Sequence, residues 1–180
     1  MQSRAPLMIE HRLIERMIAL IGTLAETIER TGRADPGMID DAVDFIRTYA
    51  DATHHGKEEE MYFKLLAAKP MSEADRKLME ELVQEHVFGR QTTQALVEAN
   101  TRYRSGDKTA LPVIVEKLRA IASFYPGHIE KEDRKFFPAG QRYLSESEDQ
   151  ALLSQFRDFD SRMIHEKYTQ LLEALKKQRG

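Results

Sequence analysis

"HHGKEEEMYF", residues 54–63, is the stretch on which the fold turns. Two histidines and three glutamates stand directly before aromatic and aliphatic residues, so titratable groups adjoin what reads as core. "HIEKEDRKFF", residues 128–137, repeats the arrangement. Each copy has a histidine, a glutamate four residues on and a phenylalanine eight residues on: His55, Glu59 and Phe63, then His128, Glu132 and Phe136. On a helix, residues four apart lie one above the other on the same face. Each pair therefore points an imidazole and a carboxylate the same way, toward an apolar interior.

Outward from these two stretches, apolar residues recur three and four apart, the period of amphipathic helices. The first helix, about 7–30, places Leu7, His11, Ile14, Ile18, Ile21, Ala25 and Ile28 on one face. The second, about 37–68, aligns Phe45, Tyr49, Ala52, His55, Glu59, Phe63 and Leu66. The third, about 73–104, aligns Met79, Leu82, His86, Gly89, Thr93, Leu96 and Tyr103. The fourth, about 109–137, aligns Leu111, Ile114, Leu118, Ile121, Tyr125, His128, Glu132 and Phe136.

The breaks carry the expected punctuation: "TGRADPG", "KPMSEAD" with Ser72 as N-cap, and "RSGDK" with Asp107 as cap. "SESE" at 145–148 reads as a capping box. It opens a fifth helix, to about residue 178, with Leu152, Phe156, Phe159, Met163 and Leu171 among its charges. No strand pattern occurs. The expectation is an all-α protein: an up-down-up-down antiparallel four-helix bundle with an additional C-terminal helix. One domain spans 1–180, with its core bundle over about 7–138. Pro126-Gly127, just before His128, predicts a kink in the fourth helix.

Composition narrows the chemistry. A length of 180 residues, with 41% hydrophobic and 32% charged, suits one soluble helical domain. A net charge of −3 supplies no basic field for nucleic acid. No apolar run is long enough to span a bilayer, and the charged start lacks a signal peptide's apolar segment. The absence of cysteine excludes disulfides, thiolate metal sites and thiol catalysis, and a cytoplasmic location follows as the expectation.

His11, His55, His86 and His128 each fall on the apolar stripe of a different helix, with Glu59 and Glu132 on two of those stripes. A buried carboxylate without a partner costs several kcal/mol, and a metal ion offsets that cost while accepting neutral imidazole as a ligand. "EH" at 10–11 and at 85–86 precedes a histidine pair partner, His55 by 44 residues from His11 and His128 by 42 from His86. Two such hairpins related by a pseudo-two-fold bring all six groups to one centre. Four imidazoles and two carboxylates exceed one tetrahedral zinc and suit two metals. His54 and Glu58 form a competing register, which aligns with Arg47 and Asp51 and reads as a solvated face. His165 reads as surface, Tyr125 as core, and Arg90 as a surface ion pair.

These residues resemble the hemerythrin-like, HHE cation-binding family of four-helix bundles with non-haem diiron centres. The resemblance rests on His11 in "EHRLIE", His55 and Glu59 in "HHGKEEEMYF", His86 in "EHVFGR", and His128 and Glu132 in "HIEKEDRKFFP". It implies two iron ions, oxo- or hydroxo-bridged, or another divalent metal in their place. Glu59 and Glu132 would bridge, His11 and His55 would bind one iron, and His86 and His128 the other. Oxygen-carrying relatives have a fifth histidine four residues after the one matching His86, and here that residue is Arg90. The resemblance therefore implies one iron completed by water or an exogenous ligand. It leaves three functional classes open. One is a protein that binds or senses oxygen, nitric oxide or iron in redox or nitrosative stress. Another is a diiron enzyme with peroxidase-like, catalase-like or nitric oxide-consuming activity. The third is a purely structural metal site. The partners implied are a small diatomic molecule or peroxide.

Overall fold

The computed structural model of the chain describes the backbone of residues 2–177 and the side chains of residues 2–163. Every long element among them is a helix, and the helices end where the sequence places its caps. Helix α1, Arg4–Thr31, stops at Gly32, whose left-handed φ of 66° lets its N–H reach the Ile28 carbonyl. Helix α2 covers residues 36–67. Asp35 opens it by accepting from the Gly37 N–H at 2.8 Å, with Pro36 at the first helical position. Ser72 caps α3, Glu73–Arg104, by accepting from the Asp75 N–H. Asp107 caps the short 3-10 turn Lys108–Ala110 that leads into α4, residues 111–140. Helix α5, Glu146–Lys177, begins with the reciprocal box: Ser145 Oγ accepts from the Glu148 N–H, and the Glu148 carboxylate accepts from the Ser145 N–H. The side chains of His165 and Leu171, and the helix end expected near residue 178, lie outside the described residues.

Helix α1 packs against α4, α4 against α3, α3 against α2 and α2 against α1, which closes the four-helix bundle, while α5 lies along α2. The core falls into two apolar clusters. One gathers Ile14, Ile18, Ile21, Ile46, Leu96, Ile114, Leu118 and Ile121, and the other Leu7, Tyr62, Phe63, Leu66, Leu82, Phe136, Phe137, Leu152 and Phe156. Along each bundle helix the histidines lie between a residue of one cluster and a residue of the other. Fully burying one such side chain stabilises by about 1.5–3 kcal/mol, so the two clusters can carry a costly polar layer between them.

Two helical segments depart from the expected geometry. In α2, Phe45–His55 and Glu58–Phe63 are π-helical, with i→i+5 hydrogen bonds. The Gly56 N–H reaches the Asp51 carbonyl, and the Thr53 hydroxyl donates to the Thr48 carbonyl at 2.7 Å. Each such turn holds more residues than the 3.6 of an α-helix, so the buried face drifts. Ile46, Ala50, His54, Glu58, Tyr62 and Leu66 are all buried, in steps of four, whereas Ala52 of the expected stripe is exposed. In α4 the helix runs through Pro126 and Gly127 without a break, and the irregularity comes later, in the π-turn Glu132–Phe136.

Candidate metal centre

The polar layer contains five histidines, His11, His54, His55, His86 and His128, with the carboxylates of Glu58 and Glu132, all nearly or wholly excluded from solvent. Their ligand atoms fall into two groups, each within 4.8 Å: His11, His54, Glu58 and Glu132, and His55, His86 and His128. The structure places His11, His55, His86, His128 and Glu132 in this layer but not Glu59, and it sets His55 beside His86 and His128 rather than with His11, the partner expected of it. The Glu59 side chain is 27% exposed and bonds outward to Arg90 and to His86 Nδ1. Glu58 occupies the inward position. The reading of His54 and Glu58 as a solvated face is corrected, since both side chains are at most 1% exposed. The cause is the π-helical winding of α2, which turns the 54/58 register inward.

Four imidazoles follow one rule. Nδ1 faces a carboxylate at the rim: Asp133 for His11 at 2.8 Å, Glu10 for His54 at 2.8 Å, Glu59 for His86 at 2.7 Å and Glu85 for His128 at 2.9 Å. With Nδ1–H donating outward, the Nε2 lone pair faces the centre, the tautomer and orientation that a metal-ligating histidine needs. The rim carboxylates are held in turn by cations. Arg12 pairs with Asp133, Arg90 with Glu59, Lys57 with Glu10, and Lys131 with Glu85. Arg90 is thus the counterpart of Arg12, and its guanidinium, which cannot give up its proton, acts on the carboxylate behind His86.

At the centre itself the polar atoms lack partners. Both oxygens of Glu58, both of Glu132, and Nε2 of His86 and His128 are buried without a hydrogen bond. The nearest imidazole–carboxylate approaches run from 3.2 Å (His11 Nε2 to Glu132 Oε2) to 3.7 Å (His86 Nε2 to Glu132 Oε1), at or beyond the upper limit of an N–H···O bond. His11 Nε2 and His54 Nε2 lie 2.8 Å apart. Two ligands about 2.1 Å from one ion at a right angle are separated by about 3 Å. The geometry and the donor set thus fit cations, and iron, with its affinity for imidazole and carboxylate, is among those that they suit.

Electrostatics point the same way. Burial alone would push His11 down, but its contacts with Asp133 and Glu132 override that and hold it up at about 10. His86 is opposed by burial and pushed up to about 9 by Glu132 and Glu59. His54, also opposed by burial, is raised by Glu58 and Glu10. Burial resists ionisation of Glu132, yet His128, His11 and His86 keep its carboxyl well below the usual range. His55 goes the other way: burial and the neighbouring His86, His54 and His128 drive it well below the usual imidazole value, so it is a neutral donor. His11 and His54 share one inward proton, since Nε2 of one must accept from the other across 2.8 Å, and a metal would displace it together with that on His86.

A surface cleft of about 590 Å3 between α2 and α3 reaches this layer at His55 and Tyr125, with Asp51, Gly89 and Arg90 also in its lining. Tyr125 is core, as expected, and burial pushes its phenol up, so the hydroxyl stays protonated.

His54 and Glu58 carry a signal in the sequence. "KEE" at 57–59 aligns with "KED" at 131–133, and that alignment matches His54, not His55, with His128. The matched spacing also improves, because His54 follows His11 by 43 residues and His128 follows His86 by 42. Comparison with known proteins agrees with this geometry: residues 5–140 match the hemerythrin HHE cation binding domain. No curated protein and no solved structure gives a match. With three-quarters of its length covered by that match, the chain belongs to the hemerythrin HHE cation-binding domain family.

Proposed function

We propose that the protein binds two metal ions, iron under physiological conditions, and uses them to bind or sense oxygen, nitric oxide or peroxide in redox or nitrosative stress. His11 and His54 would hold one ion and His86 and His128 the other, with the carboxylates of Glu58 and Glu132 lying between them. The observation that carries this reading is the set of buried, unpartnered oxygens of Glu58 and Glu132, together with Nε2 of His86 and His128, at one point. Leaving such groups unpaired costs several kcal/mol, and cations offset it.

The metals would supply Lewis acidity and redox capacity. The protein's own part is to orient the donors and keep water away. The rim carboxylates fix each Nδ1 proton, and the two apolar clusters limit solvent. Tyr125, protonated beside His55 at the inner end of the cleft, can donate a hydrogen bond to a small molecule arriving there. That access also favours a second reading, an enzyme that consumes peroxide or nitric oxide catalytically. No helix among the described residues is long and apolar enough to cross a membrane, and a cytoplasmic setting is part of the proposal.

The test is metal analysis with anaerobic optical spectroscopy. Two irons per chain, and a spectrum that changes on adding oxygen, nitric oxide or peroxide, are expected. Fewer than two metals under saturating supply would overturn the reading, and multiple turnovers of peroxide would decide for the enzyme.

A further inference from the structure

We propose that the apolar row Ile164, Tyr168, Leu171 and Leu175, on the C-terminal half of α5, docks in the groove between α1 and α2 against Leu13, Met17, Leu20 and Leu24 of the same chain. This goes beyond the metal reading and does not rest on it.

The groove is open apolar surface. Two hollows, of about 640 and about 320 Å3, follow one another along it and share Met17 and Asp41. Leu20 and Met38 in the second are 63% and 55% exposed, and Leu13 beside them is 39% exposed. Apolar residues scattered singly on a surface are ordinary. These are not scattered: Leu13, Met17, Leu20 and Leu24 follow in steps of four, three and four, the spacing of a helix–helix seam. Met163, the last side chain described on α5, lines the first hollow, so the described part of that helix ends in the groove.

The N-terminal half of α5 sets direction and register. Asp149 accepts from the Gln2 N–H, 147 residues before it. Phe156 shares a cluster with Leu7, 149 residues before it. Asp160 shares the Lys57 ammonium with Glu10, 150 residues before it. Helix α5 therefore runs parallel to α1, and the offset grows slowly along it. The next value is 151, which sets Ile164, Tyr168, Leu171 and Leu175 against Leu13, Met17, Leu20 and Leu24. Both rows step by four, three and four, so parallel helices can bury them as one seam.

Orientation and charge agree with the register. Position 164 follows Asp160 by one turn, on the flank of α5 turned to α1, whereas Phe159 sits over Gly56 of α2. Asp41 and Asp44 line the groove, and Lys167, Lys176 and Lys177 accompany the row on α5. A second copy could offer the same row, but only the chain's own α5 has its register already set by three contacts with the N-terminal helix and the residues before it.

The chain has no cysteine, so pairs of thiols can be introduced into the full protein without background. Leu20→Cys with Leu171→Cys places them at matched positions. Leu20→Cys with Ile164→Cys moves the second thiol two turns away, about 10 Å. The pairs are oxidised mildly at low protein concentration and read by non-reducing electrophoresis and mass spectrometry. Because a disulfide needs Cα atoms within about 7 Å, the matched pair should close within one chain, about tenfold or more faster than the mismatched pair. Leu13→Cys with Ile164→Cys tests the same register if the first pair fails to fold, which circular dichroism checks. Equal rates for matched and mismatched pairs, or no disulfide, would overturn the proposal. Disulfides between chains at the matched pair would overturn it in favour of a second copy as the occupant.

Discussion

The two halves of the bundle solve one problem with different precision. Both carry Glu-His on the first helix, then His-x-x-Lys-Glu and a second acid on the next. Both cross over, so that the acid of one half holds the first histidine of the other: Asp133 holds His11, and Glu59 holds His86. The halves differ in winding and in cover. The second is π-helical for five residues, Glu132–Phe136, the first for eleven and then six. Lys57 is fully buried beneath α5, between Glu10 and Asp160, while Lys131 in the matching place is 19% exposed. The lesson is that the ligand set is symmetric and its support is not. Helix α5 closes the first half only, and the longer π-segment there turns His54 and Glu58 inward.

The strongest way to break this comparison is to exchange neighbours in α2. Glu58→Ala removes a carboxylate from the centre and should lower metal affinity by roughly a hundredfold or more. Glu59→Ala removes only the support of His86 and should cost about 10–100-fold. Metal content after dialysis against a graded chelator measures both. A larger loss at Glu59 would restore the α-helical register.

The asymmetry of cover predicts the next effect. Lys57→Met leaves Glu10 without its buried cation and should destabilise the fold by about 3–5 kcal/mol. Lys131→Met, at a partly exposed pair, should cost about 1 kcal/mol or less. Denaturant unfolding of the metal-free proteins measures the contrast, and equal costs would mean that α5 does not seal the first half.

A smaller, graded effect follows from the charges. His11 and His86 are held at about 10 and about 9, above the ordinary imidazole value of 6.5. Their pairing therefore stabilises the metal-free protein fully below pH 6.5, and the contribution fades as pH rises through those two values. Metal binding needs the same nitrogens deprotonated, so its affinity rises over that window. The difference in melting temperature between metal-loaded and metal-free protein should widen steadily from pH 6.5 to 9. A constant difference would show that no protons are displaced.

Most of the fold was legible because caps and periods are local. Gly32, Ser72, Asp107 and Ser145 mark helix ends by their own chemistry, and the structure places the ends there. His11, His86, His128 and Glu132 were legible because α1, α3 and α4 keep an α-helical period up to them. Helix α2 was not, since a 3.6-residue period cannot follow i→i+5 turns. The steps of four from Ile46 through Ala50, Tyr62 and Leu66 held the missing information. The rim of acids and their cations was hidden for another reason: those contacts join residues on different helices, from 27 positions apart for Glu59 and His86 to 122 for His11 and Asp133.

The most direct measurement is anomalous diffraction from crystals of the metal-loaded protein. We expect two peaks between α1, α2, α3 and α4, one beside His11 and His54 and the other beside His86 and His128. Oxygens of Glu58 and Glu132 should lie within about 2.0–2.2 Å of both for a zinc-sized ion. A single peak, or a Glu59 oxygen in the place of Glu58, would contradict the account.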